Sequence, residues 1–197
     1  MAAVDLAAAE LLAIGKTNAQ KNYIMKRRHP VIRFFNHLIC TALPASWQVR
    51  KHFSDSALNR IEKAIQQSEQ LHAGEIRFVV EACLHPLEIL CKKTPKRRAL
   101  ELFGRFNIWD TEQNNGVLIY LLLADRDVEI VADRGIHQHV GNNGWDAICH
   151  AMELEFRQGN FESGVLQGLH EISQLLQTHF PADNDNDNEL PNRPIIL

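Results

Sequence analysis

The chain has 197 residues, 45% of them apolar, and a formal net charge of −3 at pH 7, which suits one globular domain with extensions and excludes a wholly disordered chain. The best apolar run, residues 31–45, is too short for a membrane-spanning helix and is interrupted by Arg33, Asn36 and His37. The four cysteines form no Cys-x-x-Cys pair, so we expect reduced thiols and a cytosolic setting.

Residues 1–53 are predicted to be a basic extension with a short helix. No acid occurs between Glu10 and Asp55, and the same stretch holds only positive charges. These cations are Lys16, Lys21, Lys26, Arg27, Arg28, Arg33, Arg50 and Lys51. The spacing of apolar residues over 30–39 predicts a short amphipathic helix within this extension.

The segment 26–51 has two candidate partners. It can pack against its own acidic domain, or it can bind anionic lipid reversibly at the cytoplasmic face of a membrane, where each cation contributes on the order of 1 kcal/mol. The apolar residues with the spacing of an interfacial helix are Val31, Phe34, Phe35, Leu38 and Ile39. We expect no nucleic-acid partner, because the rest of the chain is acidic and repels phosphate.

A compact domain is predicted over residues 54–180. Ser54 is placed to cap a helix whose apolar side chains share one face, and Gly74 is placed to end it. The alternation over residues 75–82 predicts a strand. Thr94 followed by Pro95 predicts the start of a second helix.

The second half of the domain begins with a buried strand. Residues 117–124 are eight apolar residues in a row, which is typical of a strand covered on both faces. The turn at 125–127 leads to an antiparallel third strand at 128–133. A loop is predicted from Gly135 to Gly144, then one helix up to Gly159 and a last helix that Pro181 ends.

The order of elements predicts an α/β fold. A parallel strand–helix–strand crossover joins the first two strands, and the hairpin adds the third. We therefore predict a small mixed β-sheet flanked by helices. Residues 181–197 are predicted to be an acidic disordered tail, because Asp and Asn alternate over 183–188.

The hairpin brings the end of the third strand beside the start of the second. Residues 114–116 and 133–135 should therefore meet at one sheet edge. Carboxylate, amide and carbonyl oxygens suit a hard cation, calcium or magnesium. The predicted metal-binding residues are Asp110, Glu112, Asn114, Asn115 and Asp133.

Other interpretations of this edge stay open. His137 and His139 next to carboxylates are a weak zinc pattern. A capped turn with a salt bridge from Arg134 to a nearby acid is the purely structural interpretation. A calcium-binding EF-hand is excluded, because the glycine comes one residue late, at Gly116, and the terminal glutamate is missing.

The stretch from Asn114 to Gly135 resembles the signature hairpin of the TPM domain family. The resemblance extends over about residues 54–180 and includes Gly74-Glu75-Ile76 and Arg157-Gln158-Gly159-Asn160-Phe161. It implies the α/β fold predicted above. Where many members carry Gly-Tyr-Gly-Leu-Glu after the third strand, this chain has Asp133-Arg134-Gly135-Ile136-His137, so Asp133 would supply the carboxylate.

The resemblance implies two functions, and the residues do not decide between them. Some members bind divalent metal or act as accessory factors, which implies a non-catalytic interaction module for a protein partner. Others are credited with phosphatase activity, which implies an acid phosphatase-like hydrolase of phosphate monoesters. In that case Arg134 would hold phosphate oxygens, and Asp133 or a metal-bound water would activate the attack.

Overall fold

The structure is a computed structural model, which describes residues 30–182 and 188–197. Its helices are α1 Pro30–Thr41, α2 Ala45–His52, α3 Asp55–Ser68, α4 Pro86–Leu90, α5 Pro95–Arg105, α6 Arg134–Gln158 and α7 Phe161–His179. Its strands are β1 Ile76–Glu81, β2 Val117–Leu122, β3 Asp127–Ala132 and β4 Ile195–Ile196. No helix within the described ranges has the length and apolar content that a membrane span needs.

The helix starts predicted from capping residues are confirmed. Ser54 Oγ accepts a hydrogen bond from the Ala57 amide at 3.1 Å and so caps α3. Thr94 Oγ1 does the same for the Arg97 amide at 3.2 Å, with Pro95 at the first position of α5. Each cap satisfies an amide that has no partner inside its own helix.

The sheet has the order β3-β2-β1-β4. β1 and β2 are parallel, with Ile76 opposite Val117, and β2 and β3 are antiparallel, with Val117 opposite Ala132. The predicted mixed α/β fold with a parallel crossover and an antiparallel hairpin is confirmed.

β2 is buried on both faces, as its unbroken apolar sequence predicted. Val117, Ile119 and Leu121 belong to the core on the side of α3, α6 and α7. The intervening residues Leu118, Tyr120 and Leu122 belong to a second core on the side of α4 and α5. All six side chains are excluded from water, so helices are required on both faces of the sheet.

The prediction of a loop from Gly135 to Gly144 is wrong. α6 begins at Arg134, directly after β3, and runs through this segment with a kink at Gly141, whose φ is +68°. The Asp133 side chain accepts a hydrogen bond from the first amide of the helix, which stabilises its start. The polar, glycine-rich sequence 137–144 concealed the helix, because helix propensity there is low.

The end of the chain also differs from the prediction of an acidic disordered tail over 181–197. Residues 183–187 lie outside the described residues, but Ile195 and Ile196 form β4, parallel to β1. The Leu197 amide donates to Val80 O at 3.0 Å, and the Ala82 amide donates to Leu197 O at 3.1 Å. These apolar residues occupy the open edge of β1, which would otherwise leave backbone groups unpaired.

The predicted helix in the basic extension is confirmed as α1, and the residues before Pro30 lie outside the described residues. Arg33 Nε donates to Asp125 Oδ2 at 2.8 Å. The Leu84 amide donates to His37 Nδ1 at 3.0 Å, so His37 Nε2 carries the proton and donates to Asp125 Oδ1 at 3.2 Å. Burial would raise the pKa of Asp125, but His37 and Arg33 together hold it below its usual value.

Candidate functional site at the sheet edge

The two segments that topology was expected to bring together do lie side by side. The Asp133 amide donates to Gly116 O at 2.9 Å, and the Gly135 amide donates to Asn114 O at 2.9 Å. The hairpin of β2 and β3 therefore continues past the ends of both strands. We call this end of the sheet, with residues 110–116 and 133–135, the candidate edge.

Two glycines make the close approach possible. A Cβ atom on Gly135 would lie 2.5 Å from Asn114 O and 2.8 Å from Gln113 O, and one on Gly116 would collide with the carbonyl of Ile108. Both contacts are with backbone atoms, which cannot rotate away as a flexible side chain can. Glycine is thus required at both positions for steric reasons.

Asn115 and Asp133 are the two buried polar residues of the candidate edge. Asn115 is 1% exposed, and its Nδ2 donates to Ala73 O at 2.9 Å. Asp133 is 7% exposed, and its Oδ1 accepts from the Arg134 amide at 2.6 Å. Asn115 Oδ1 and Asp133 Oδ2 are buried without a hydrogen-bond partner among the described residues, which is costly for buried oxygens.

The remaining predicted ligands lie on the rim. Asp110 and Glu112 are exposed, and the Glu112 amide donates to the Glu189 carboxylate at 3.2 Å. Asn114 adopts a left-handed conformation with φ +53°, and its Oδ1 accepts from Arg134 Nη2 at 3.3 Å. Within residues 30–182 and 188–197, no three His, Cys, Asp or Glu side chains are placed to share one metal ion.

The histidines of the zinc interpretation belong to α6. The His137 amide donates to Asp133 O at 2.9 Å, as part of the first helical turn. The His139 ring stacks on the His179 ring of α7, with their centroids 4.3 Å apart. These contacts give the helical backbone and the His139 ring structural roles.

Three buried charged residues near this end were not predicted. The Glu75 carboxylate accepts hydrogen bonds from the Glu189 and Leu190 amides, at 3.2 and 3.1 Å, and burial raises its pKa. Burial also raises the pKa of Glu69 to about 8. Arg77, next along β1, is 7% exposed and has a buried guanidinium nitrogen without a hydrogen-bond partner among the described residues. The predicted strand over residues 75–82 contained Glu75 and Arg77, but nothing in its alternation singled them out as buried charges.

The opposite end of β1 holds a closed polar network. Arg98 donates two hydrogen bonds, both 2.9 Å, to the Glu81 carboxylate, and Tyr120 Oη donates to the same group at 2.6 Å. Each charged group there has a geometrically good partner, so this network stabilises the fold and offers no free ligand atom.

The comparisons with known proteins identify the family. A family model described as the TPM domain matches residues 49–175. The chain belongs to the TPM domain family. The BA42 protein of the psychrophilic bacterium Bizionia argentinensis, solved by NMR, is 31% identical with a TM-score of 0.65, over 73% of this chain and 94% of that one.

A second solved structure shares the fold of this TPM domain. The N-terminal domain of a protein from P. gingivalis is 20% identical with a TM-score of 0.55, over 67% of this chain and 83% of that one. No curated protein matches the chain. The fold and family of the TPM domain are therefore established, and its activity must be argued from its own residues.

Replacing Gly135 by alanine tests the close approach that forms the candidate edge. We expect Gly135→Ala to lower the free energy of unfolding by about 1–3 kcal/mol, because the added Cβ collides with two backbone carbonyls. Gly104→Ala in α5 is the control, since a Cβ there meets nothing within 4 Å and alanine favours a helix. Urea unfolding measures both, and equal effects of the two substitutions would contradict the close approach.

Proposed function

We propose that this TPM domain is a non-catalytic accessory module for a protein partner, and that it binds a hydrated divalent cation, magnesium or calcium, at the candidate edge. The observation that supports this proposal is the buried oxygen Asp133 Oδ2, which has no hydrogen-bond partner among the described residues. A buried carboxylate oxygen without a donor is unfavourable unless a positive charge compensates it.

The chemistry of the other residues of the candidate edge agrees with a hard cation. Asn115 Oδ1, in the segment just before β2, is a second buried oxygen without a hydrogen-bond partner in the part of the chain that the structure describes. Amide and carboxylate oxygens are the ligands that magnesium and calcium prefer. Asp110 and Glu112 on the rim add negative charge that attracts a cation from solution.

The small number of available carboxylates favours an ion that keeps part of its water shell over an ion that is fully enclosed by protein ligands. The described residues offer no group of three acidic or histidine side chains around a single point. Magnesium commonly keeps several waters and takes only one or two protein carboxylates. Asp133 would be the direct ligand, while its Oδ1 continues to cap α6.

The ionisation of two buried acids near this end, Glu69 and Glu75, would respond to a bound cation. Burial is the main cause that raises the pKa of both Glu69 and Glu75. The negative charge of Glu75 raises the pKa of Glu69 further. The negative charge of Glu189 does the same for Glu75. A raised carboxyl pKa means that negative charge is disfavoured there. A bound divalent cation would favour the ionised forms of nearby acids.

Titration with magnesium and with calcium, followed by amide NMR shifts, tests the cation proposal. We expect amides in 110–116 and 133–139 to move at millimolar metal, and Asp133→Asn to weaken binding about tenfold or more. Asparagine keeps a capping oxygen for α6 and removes only the charge. Asp146→Asn, an exposed acid on the same helix, should leave affinity unchanged. If both segments stay unmoved, the cation proposal fails.

Hydrolysis of phosphate monoesters is the second candidate function, and the position of Arg134 favours it. Arg134 is exposed at the first turn of α6, beside Asp133 and hydrogen-bonded to Asn114. A helix start and a guanidinium group both attract phosphate oxygens. A water activated by Asp133 would attack phosphorus, the ester P–O bond would break, and the alcohol would leave with a proton.

A turnover assay on a generic aryl phosphate and a phosphoserine peptide tests this second function. Hydrolysis at the candidate edge requires that Asp133→Asn and Arg134→Gln each lower kcat/KM by about a hundredfold or more. Arg105→Gln, an exposed cation at the end of α5, should have no effect. Equal rates for the native protein and all variants would assign the turnover to a contaminant and reject the hydrolase.

A further inference from the structure

Helix α1 packs on the domain mainly through polar side chains, and Phe34 is an apolar residue that also packs against it. Arg33 and His37 are one helical turn apart, and both contact Asp125 in the turn between β2 and β3. His37 is completely buried and also accepts the Leu84 amide. Cys40, about one turn further along, donates to Gln48 Oε1 of α2 at 2.6 Å. The polar stripe of α1 thus faces inward.

The opposite side of α1 is apolar and faces outward. Five of its large side chains are between 44% and 68% exposed, and two more follow in the linker and in α2. We call this set the apolar face: Val31, Ile32, Phe35, Leu38, Ile39, Leu43 and Trp47. An amphipathic helix normally buries its apolar side, but here the apolar side is exposed. An exposed apolar surface of this kind indicates a binding surface for a membrane or another molecule.

A cavity of about 360 Å³ opens beside the apolar face. Ile39 and Leu43 of that face form part of its wall, together with the polar or basic residues Asn36, His52 and Arg126. Ala82 and Leu123 place it at the carboxyl ends of β1 and β2. The cavity and the candidate edge therefore lie at opposite ends of these strands. The carboxyl ends, where the cavity lies, are the ends at which α/β sheets commonly bind ligands.

The charged side chains around the cavity and α2 are mainly positive. Lys51 of α2 and Arg126 in the turn after β2 are exposed, and so is Arg50, which is paired with Asp55 at 3.3 Å. Burial lowers the pKa of His52, and the positive charges of Lys51 and Arg126 lower it further. Asp125, the acid that contacts α1, is already paired with Arg33 and His37.

We propose that the apolar face enters the interface of an anionic bilayer and that Arg126, at the mouth of the cavity, contacts a lipid phosphate. Apolar side chains, a tryptophan and flanking cations together form the usual surface of an interfacial helix. A uniformly anionic surface complements the cations around this face. A second copy of the chain is a poorer partner, because it would bring like charges together.

Flotation of the full chain with vesicles tests the proposal. We expect binding to phosphatidylcholine vesicles that contain phosphatidylglycerol, weaker binding at high salt, and little binding to phosphatidylcholine alone. Phe35→Ser with Ile39→Ser should weaken binding about tenfold or more. The control pair is Leu71→Ser with Trp109→Ser, because both residues are exposed and apolar but precede β1 and β2, at the other end of the sheet.

The contribution of Arg126 is measured in the same experiment. Arg126→Gln should weaken binding to the anionic vesicles about fivefold, the effect of one cation near such a surface. Arg105→Gln should leave binding unchanged, since Arg105 lies at the end of α5. Thermal unfolding of every variant verifies that it is folded before binding is compared.

Three results would overturn the proposal. Failure of the full chain to bind either vesicle would mean that the apolar face has another occupant, such as residues 1–29 or a protein. Equal binding by the two double variants would place the contact elsewhere. A concentration-dependent dimer in sedimentation, lost with Phe35→Ser and Ile39→Ser, would identify a second copy of the chain as the occupant.

Discussion

β2 is paired on both edges and buried on both faces, and the rest of the TPM domain depends on that constraint. The strand forms a parallel pair with β1 and an antiparallel pair with β3. Its side chains enter the two cores alternately. Helices must therefore cover both faces, and the loops at each end of β2 must leave the sheet at fixed places. Both surfaces for which we propose a function lie at these ends.

The two ends of β2 differ in charge and in the way they are closed. At the start of the strand, Gly116 and Gly135 let the backbone segments approach closely, and Asn115 and Asp133 are left with buried oxygens. Past its end, Asp125 holds α1 through Arg33 and His37. The proposed cation site and the proposed membrane surface are thus separated by the length of the sheet, so that both can be occupied in one molecule.

The sequence was sufficient where a local pattern determines the structure. The apolar run of β2 and the caps Ser54 and Thr94 predicted elements that the structure contains. The sequence was insufficient where contacts between segments that are distant in the chain determine the structure. β4 exists because the end of the chain reaches the open edge of β1. Glu75 and Arg77 are buried, and Glu75 accepts hydrogen bonds from the amides of Glu189 and Leu190, which lie too far along the sequence for a local pattern to predict the contact.

Native-state hydrogen exchange at Asp133 and Gly135 measures most directly whether the hairpin closes the candidate edge. The Asp133 amide precedes α6 and the Gly135 amide lies in its first turn, so neither has a partner within that helix, and such amides normally exchange quickly. Here both donate to the segment before β2, at Gly116 O and Asn114 O. We expect them to be protected to within about tenfold of the amides of β2. Exchange of both amides at the rate of an exposed loop would contradict the geometry from which the candidate edge is built.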